Sequence, residues 1–120
     1  MVAIVDDDPS VLSSLKDLME SAGLLARCYQ SAEEFLISDL RHRTACLVTD
    51  VRMPGMSGLE LQAKLNGEGS RIPMIFITAR DDAQIRMQAM TAGAVEVLSK
   101  PFDQHVLLAK VRAALKDGRV

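Results

Sequence analysis

Five short apolar runs alternate with five stretches of helical period, and this alternation constrains the fold more than any other feature of the chain. The runs cover residues 2–5, 24–28, 45–49, 74–78 and 95–98. They are almost uniformly apolar, as in strands covered on both faces, where a half-solvated strand would alternate. From Pro9 to Ala22, apolar residues fall at Val11, Leu12, Leu15, Leu18, Met19 and Ala22, a stripe of 3.6-residue period. Gly23 follows where a helix ends on glycine. Ser31-Ala32-Glu33-Glu34 reads as a capping box opening a second helix. A third helix is predicted over 57–66 and a fourth over 82–92, stopped by Gly93. Asp103 caps a fifth, with Leu107, Leu108, Val111, Ala114 and Leu115 on one face and Gly118 behind it. Strands alternating with helices predict an α/β fold of parallel strands joined by right-handed crossovers.

A length of 120 residues fits one domain, 1–120, with residues 116–120 reading as the start of a linker. Such a domain hides about two-thirds of its unfolded surface, so it needs no staples. Three Phe, one Tyr and no Trp leave some packing work to seven Met. A net charge of −2 gives no basic footprint for direct nucleic-acid contact. No run approaches the ~20 apolar residues of a membrane span, and no basic-then-apolar leader opens the chain. Cys28 and Cys46 stand alone in apolar surroundings and read as reduced thiols. These features place the expected location in the cytoplasm.

In an open parallel sheet, sites form beyond the carboxyl ends of the strands. Asp6 and Asp7 follow the first run, Asp50 the third, and Lys100 the fifth; Thr78 ends the fourth. Three acids, a hydroxyl and an ammonium therefore converge on one edge. Carboxylates with backbone carbonyls suit Mg²⁺, whose oxygen ligands stand at about 2.0–2.1 Å. A carboxylate beside that ion can attack phosphorus, while an ammonium and a hydroxyl steady phosphoryl oxygens. Asp8, followed by Pro9, reads instead as a helix cap with proline in the first turn.

These residues, with the segments DVRMPGMSGLEL, AMTAGAVE and KPF, resemble the receiver domain of two-component response regulators over essentially the whole chain. The wording is most similar to FixJ-type receivers, which precede a LuxR-type DNA-binding domain. The resemblance implies a flavodoxin-like (βα)5 fold with strand order 2-1-3-4-5. It implies Asp50 as phosphoacceptor, Thr78 and Lys100 as holders of the phosphoryl group, and a histidine kinase as donor. Mg²⁺ would be held by Asp6, Asp7, Asp50 and the backbone carbonyl of Arg52. The bond before Pro101 is expected to be cis. The protein would be a signalling phosphoacceptor rather than a turnover enzyme.

The chain departs from the family pattern at Val97, where a switch Tyr or Phe is usual three residues before the lysine. A readout through Thr78 and the fourth helix is expected in its place. Arg52 and Arg80 flank the mouth of the site. The resemblance implies that the face of the fourth helix, fifth strand and fifth helix serves a phosphorylation-dependent homodimer or docks an output domain, with Arg86, Met90, Val97 and Ser99 expected on it. His42 and His105 read as solvated. Two other readings compete with this one. A haloacid-dehalogenase-type phosphatase would use the D-x-D spacing in residues 6–8, but Pro9-Ser10 stands where Gly-Thr is needed, and no later acid pair follows Lys100. A pseudo-receiver that never takes phosphate draws support from Val97 and is opposed by the intact acid set.

Overall fold

The computed structural model describes residues 1–79 and 82–117. The strands are β1 (Val2–Val5), β2 (Ala26–Tyr29), β3 (Cys46–Asp50), β4 (Met74–Thr78) and β5 (Glu96–Ser99). The helices are α1 (Pro9–Ser21), α2 (Ala32–Leu36), α3 (Gly58–Gly67), α4 (Ala83–Thr91) and α5 (Gln104–Asp117), with a short 3₁₀ turn at Arg41–Arg43. The strands form one parallel sheet in the order β2-β1-β3-β4-β5.

Alternate residues of each strand feed different cores. Val2 and Ile4 pack with Leu12, Leu15, Met19, Leu107 and Val111, under α1 and α5. Ala3 and Val5 pack with Phe35, Leu61, Leu65, Phe76 and Ala89, under α2, α3 and α4. Both faces are thus apolar, which is why the strand runs do not alternate in sequence.

β2 begins two residues later than its apolar run. Gly23 has φ +78, and the Leu24 N–H donates to the Met19 carbonyl at 3.0 Å, so the chain is still leaving α1 there. Leu24 packs against the core as part of that turn, while Leu25 is 78% exposed. The box expected at Ser31 is half formed: Ser31 Oγ accepts the Glu34 N–H at 3.0 Å, but Glu34 reaches back to Gln30 N–H. The complete box opens α3, where Ser57 and Glu60 accept each other's backbone N–H.

α4 is weakly amphipathic, and Ala89 is its buried residue. Two side chains of α3 hold its far end: Gln62 Nε2 donates to the Ala89 carbonyl and Asn66 Nδ2 to the Ala92 carbonyl, each at 3.0 Å. Met87 and Met90 are left 70% and 42% exposed. Glu96 of β5 pairs with Arg86 of α4 at 3.4 Å and Lys110 of α5 at 3.6 Å.

The cysteines are free, and burial pushes the Cys46 thiol up to about 12. His42 and His105 are exposed. Among the described residues no helix is long and apolar enough to cross a membrane. Of the linker expected at 116–120, residues 116 and 117 instead end α5, while residues 118–120, like Arg80 and Asp81, lie outside the described residues.

Candidate functional site

The carboxyl ends of β1 and β3 bring three acids together. One carboxylate oxygen from each of Asp6, Asp7 and Asp50 falls within 4.8 Å of the others. Carboxylates that close can turn their oxygens toward one shared divalent cation. The donor set is all oxygen and carries up to three charges, so these residues fit a hard divalent cation. Asp6 lies deepest, 2% exposed, and Asp7 is exposed. Burial raises the Asp6 carboxyl above its ordinary value of 3.8; the Asp8 backbone N–H on it lowers it, and the Asp50 charge raises it again. That N–H lies 2.9 Å from Asp6 Oδ1 and fixes the carboxylate in place.

Asp8 turns away from the cluster. Its Oδ1 accepts the Ser10 N–H at 2.9 Å and the Ser10 hydroxyl at 2.7 Å, capping α1 with Pro9 in the first turn. These bonds, the hydroxyl's first, hold its carboxyl below the usual 3.8.

Asp50 ends β3, and its Oδ1 accepts the Arg52 N–H at 3.3 Å. Its Oδ2 lies 3.5 Å from Lys100 Nζ, which also stands 3.6 Å from Asp6 Oδ2. Lys100 reaches this position because its own N–H donates to the Thr78 carbonyl at 2.8 Å, prolonging the β4–β5 ladder beyond Ser99. The Lys100–Pro101 peptide is cis. Thr78, 2% exposed, lines an open cleft of about 470 Å³ with Asp50, Arg52 and Ala79. The arrangement can hold a cation against one side of Asp50, place an ammonium on the other, and leave room above for a small tetrahedral group.

The proposed contact surface needs one correction. Val97 is 1% exposed and packs in the core beside Phe76, its register partner on β4. α4 covers that face of the edge strand, so the side chain offers nothing to a partner. Met90 and Arg86 lie at the surface of α4, and Ser99 is half-buried with a buried hydroxyl.

Two residues escaped the sequence reading. A Cβ on Gly58 would overlap the Asp50 carbonyl oxygen and stand 3.1 Å from Phe76 Cε1. Glycine there lets the start of α3 close over the end of β3, where the Gly58 N–H donates to Val51 O at 2.8 Å. The second glycine of PGMSG, next to a capping serine, was the available signal. Glu33, on α2, accepts the Met56 N–H at 3.1 Å. No local pattern marks a contact across 23 residues.

Residues 2–112 match the family described as response regulator receiver domain. The chain is 45% identical over 116 residues to the response regulator protein TodT of Pseudomonas putida, covering 97% of this chain and 51% of TodT. It is 44% identical over 114 residues to the transcriptional regulatory protein FixJ of Azorhizobium caulinodans, covering 95% of this chain and 54% of that one. A crystal structure of FixJ-N superposes with a TM-score of 0.85 at 38% identity, covering 96% of this chain and 92% of the other. The chain therefore spans about half the length of the curated relatives it matches.

Proposed function

This chain belongs to the response regulator receiver domain family, and on that premise we propose that it takes a phosphoryl group onto Asp50 from a histidine kinase. The observation that carries this reading is the meeting of Asp6, Asp7 and Asp50 within 4.8 Å, with Lys100 Nζ 3.5 Å from Asp50 Oδ2.

An Asp50 oxygen attacks the phosphorus of a phosphohistidine. The oxygen–phosphorus bond forms as the phosphorus–nitrogen bond breaks, and the imidazole leaves with the electron pair and takes a proton from solvent. Asp6, Asp7, Asp50 and the Arg52 carbonyl would hold Mg²⁺, which supplies charge neutralisation at the phosphoryl oxygens. Lys100 adds a point charge to a phosphoryl oxygen and Thr78 a hydroxyl. The acyl phosphate brings close to two negative charges to the cleft, and Thr78 and α4 shift in response. The domain is altered by its own reaction rather than released unchanged, so it acts as a switch.

The whole protein is proposed to be a cytoplasmic transcription regulator in which residues 1–120 form one receiver domain. A DNA-binding output domain would follow outside this chain, and DNA contact would be left to it. The names of the relatives, among them a transcriptional regulatory protein, support this. A homodimer formed on phosphorylation would use α4 and β5 through Arg86, Met90 and Ser99.

The test is mass measurement after incubation with acetyl phosphate and Mg²⁺. One added phosphoryl group is expected on the chain and none on Asp50→Asn. Labelling that persists in Asp50→Asn would overturn the assignment. Sustained hydrolysis of small phosphate esters, without self-labelling, would favour a phosphatase.

A further inference from the structure

We propose that Glu33 is a positioning residue for phosphoryl uptake: its carboxylate, carried on α2, fixes the loop after Asp50 and with it the Arg52 carbonyl. The inference rests on Asp50 being the phosphoacceptor. Residues 51–57 join β3 to α3 and include Pro54 and Gly55. The ends of this loop are tied locally, by the Arg52 N–H on Asp50 Oδ1 at 3.3 Å and the Gly58 N–H on Val51 O at 2.8 Å. Its middle is held from another element. Glu33 Oε2 accepts the Met56 N–H at 3.1 Å, a charge-assisted bond.

Gly55 makes the approach possible. It has φ +76, and a Cβ there would lie 2.5 Å from Glu33 Oε2. The carboxylate is thus seated against a bare α-carbon, in space that any other residue would fill. The seat is rigid because α2 is anchored: Ala32 and Phe35 on either side of Glu33 are 0% exposed, and Tyr29 meets Phe35 edge-on at 5.4 Å.

Partners that orient a metal's ligands typically cost about 10–100-fold in metal affinity or activity when removed. A ligand displaced by about 1 Å has an effect of similar size on the chemistry. Glu33→Ala is therefore expected to raise the Mg²⁺ concentration for half-maximal labelling by acetyl phosphate about tenfold. Glu33→Gln keeps an acceptor oxygen of the same reach and should restore most of the wild-type value. In the metal-free protein, the Met56 amide should exchange hydrogen faster in Glu33→Ala and near the wild-type rate in Glu33→Gln. A residue that only braced α2 would lower the melting temperature and leave the Mg²⁺ dependence unchanged; that result overturns the proposal. Should Glu33→Ala fail to fold, Gly55→Ala dislodges the carboxylate from its seat. The same Mg²⁺ shift is expected there, and unchanged Mg²⁺ dependence overturns the proposal equally. Labelling of Asp50→Asn, run alongside, would instead strike the underlying assignment of the phosphoacceptor.

Discussion

Lys100 Nζ lies 3.5 Å from Asp50 Oδ2, at the end of a backbone bond that ties Lys100 to Thr78. The ammonium also stands 3.6 Å from Asp6 Oδ2. It offsets part of the mutual repulsion of the acids and stands beside the carboxylate proposed to accept phosphorus. Removing one preorganised electrostatic contact of this kind typically costs about 10²–10³ in rate. Lys100→Ala should slow labelling by acetyl phosphate on the order of 10²-fold. Lys100→Arg should recover part of it, because the planar fork keeps the charge and loses the compact point. A rate for Lys100→Ala within threefold of wild type, about 0.7 kcal/mol, would exclude this role.

Asp6 gives the fold a pH signature. Its carboxyl is raised by burial above the unfolded value of 3.8. Below 3.8 it is protonated in both states and contributes nothing. As pH rises through the folded value, the native state must carry a buried charge and stability falls. In metal-free protein, Asp6→Asn should therefore melt higher than wild type at pH 7, with the gain disappearing toward pH 3.8. Mg²⁺ should raise the melting temperature of the wild type at pH 7 more than that of Asp6→Asn. Thermal melts at the two pH values, with and without the ion, check the sign; an Asp6→Asn that melts lower at pH 7 would reverse it.

Gly58 couples the end of β3, which carries Asp50, to the helix that follows. A Cβ there meets backbone, the Asp50 carbonyl oxygen, and the Phe76 ring. Backbone cannot turn aside as a side chain does, so Gly58→Ala must displace the end of β3 or the start of α3. Overpacking of this kind costs about 1–3 kcal/mol. Urea unfolding should register that loss, with slowed phosphoryl uptake because Asp50 itself moves. Gly67→Ala is the control: nothing lies within 4 Å of its Cβ position, and it should leave uptake unchanged.

What the sequence disclosed follows from which contacts are local or periodic. The central strands were legible because apolar runs report burial on two faces. β4 appears over Met74–Thr78, as its run predicted. Leu24 and Leu25 misled because a turn leaving a helix also wants an apolar residue, and the sequence does not say which residue starts the strand. Asp6, Asp7, Asp50, Thr78 and Lys100 were placed by strand ends alone, since topology brings those ends to one edge. Val97 was misplaced because an edge strand reads as exposed until the helix over it is known. Glu33 and Gly58 act through contacts whose meaning depends on where the loop lies, which only the folded chain specifies.

Asp7 and Asp8 adjoin in sequence and separate in role. Asp7 offers an oxygen within 4.8 Å of those of Asp6 and Asp50, whereas the Asp8 carboxylate accepts from the Ser10 N–H and hydroxyl. Asp7→Ala should abolish Mg²⁺ binding measured by calorimetry, with little change in melting. Asp8→Ala should do the reverse: Mg²⁺ affinity stays within a few-fold, and the melting temperature falls as α1 loses its cap. The cap also sets a pH window. The Asp8 carboxyl is held below 3.8, so its stabilisation is present above that value and is lost as pH falls through the lower folded one. The difference in melting between wild type and Asp8→Ala should accordingly be largest near neutrality and close in strong acid. A loss of Mg²⁺ binding in Asp8→Ala equal to that in Asp7→Ala would return the third acid to the metal site.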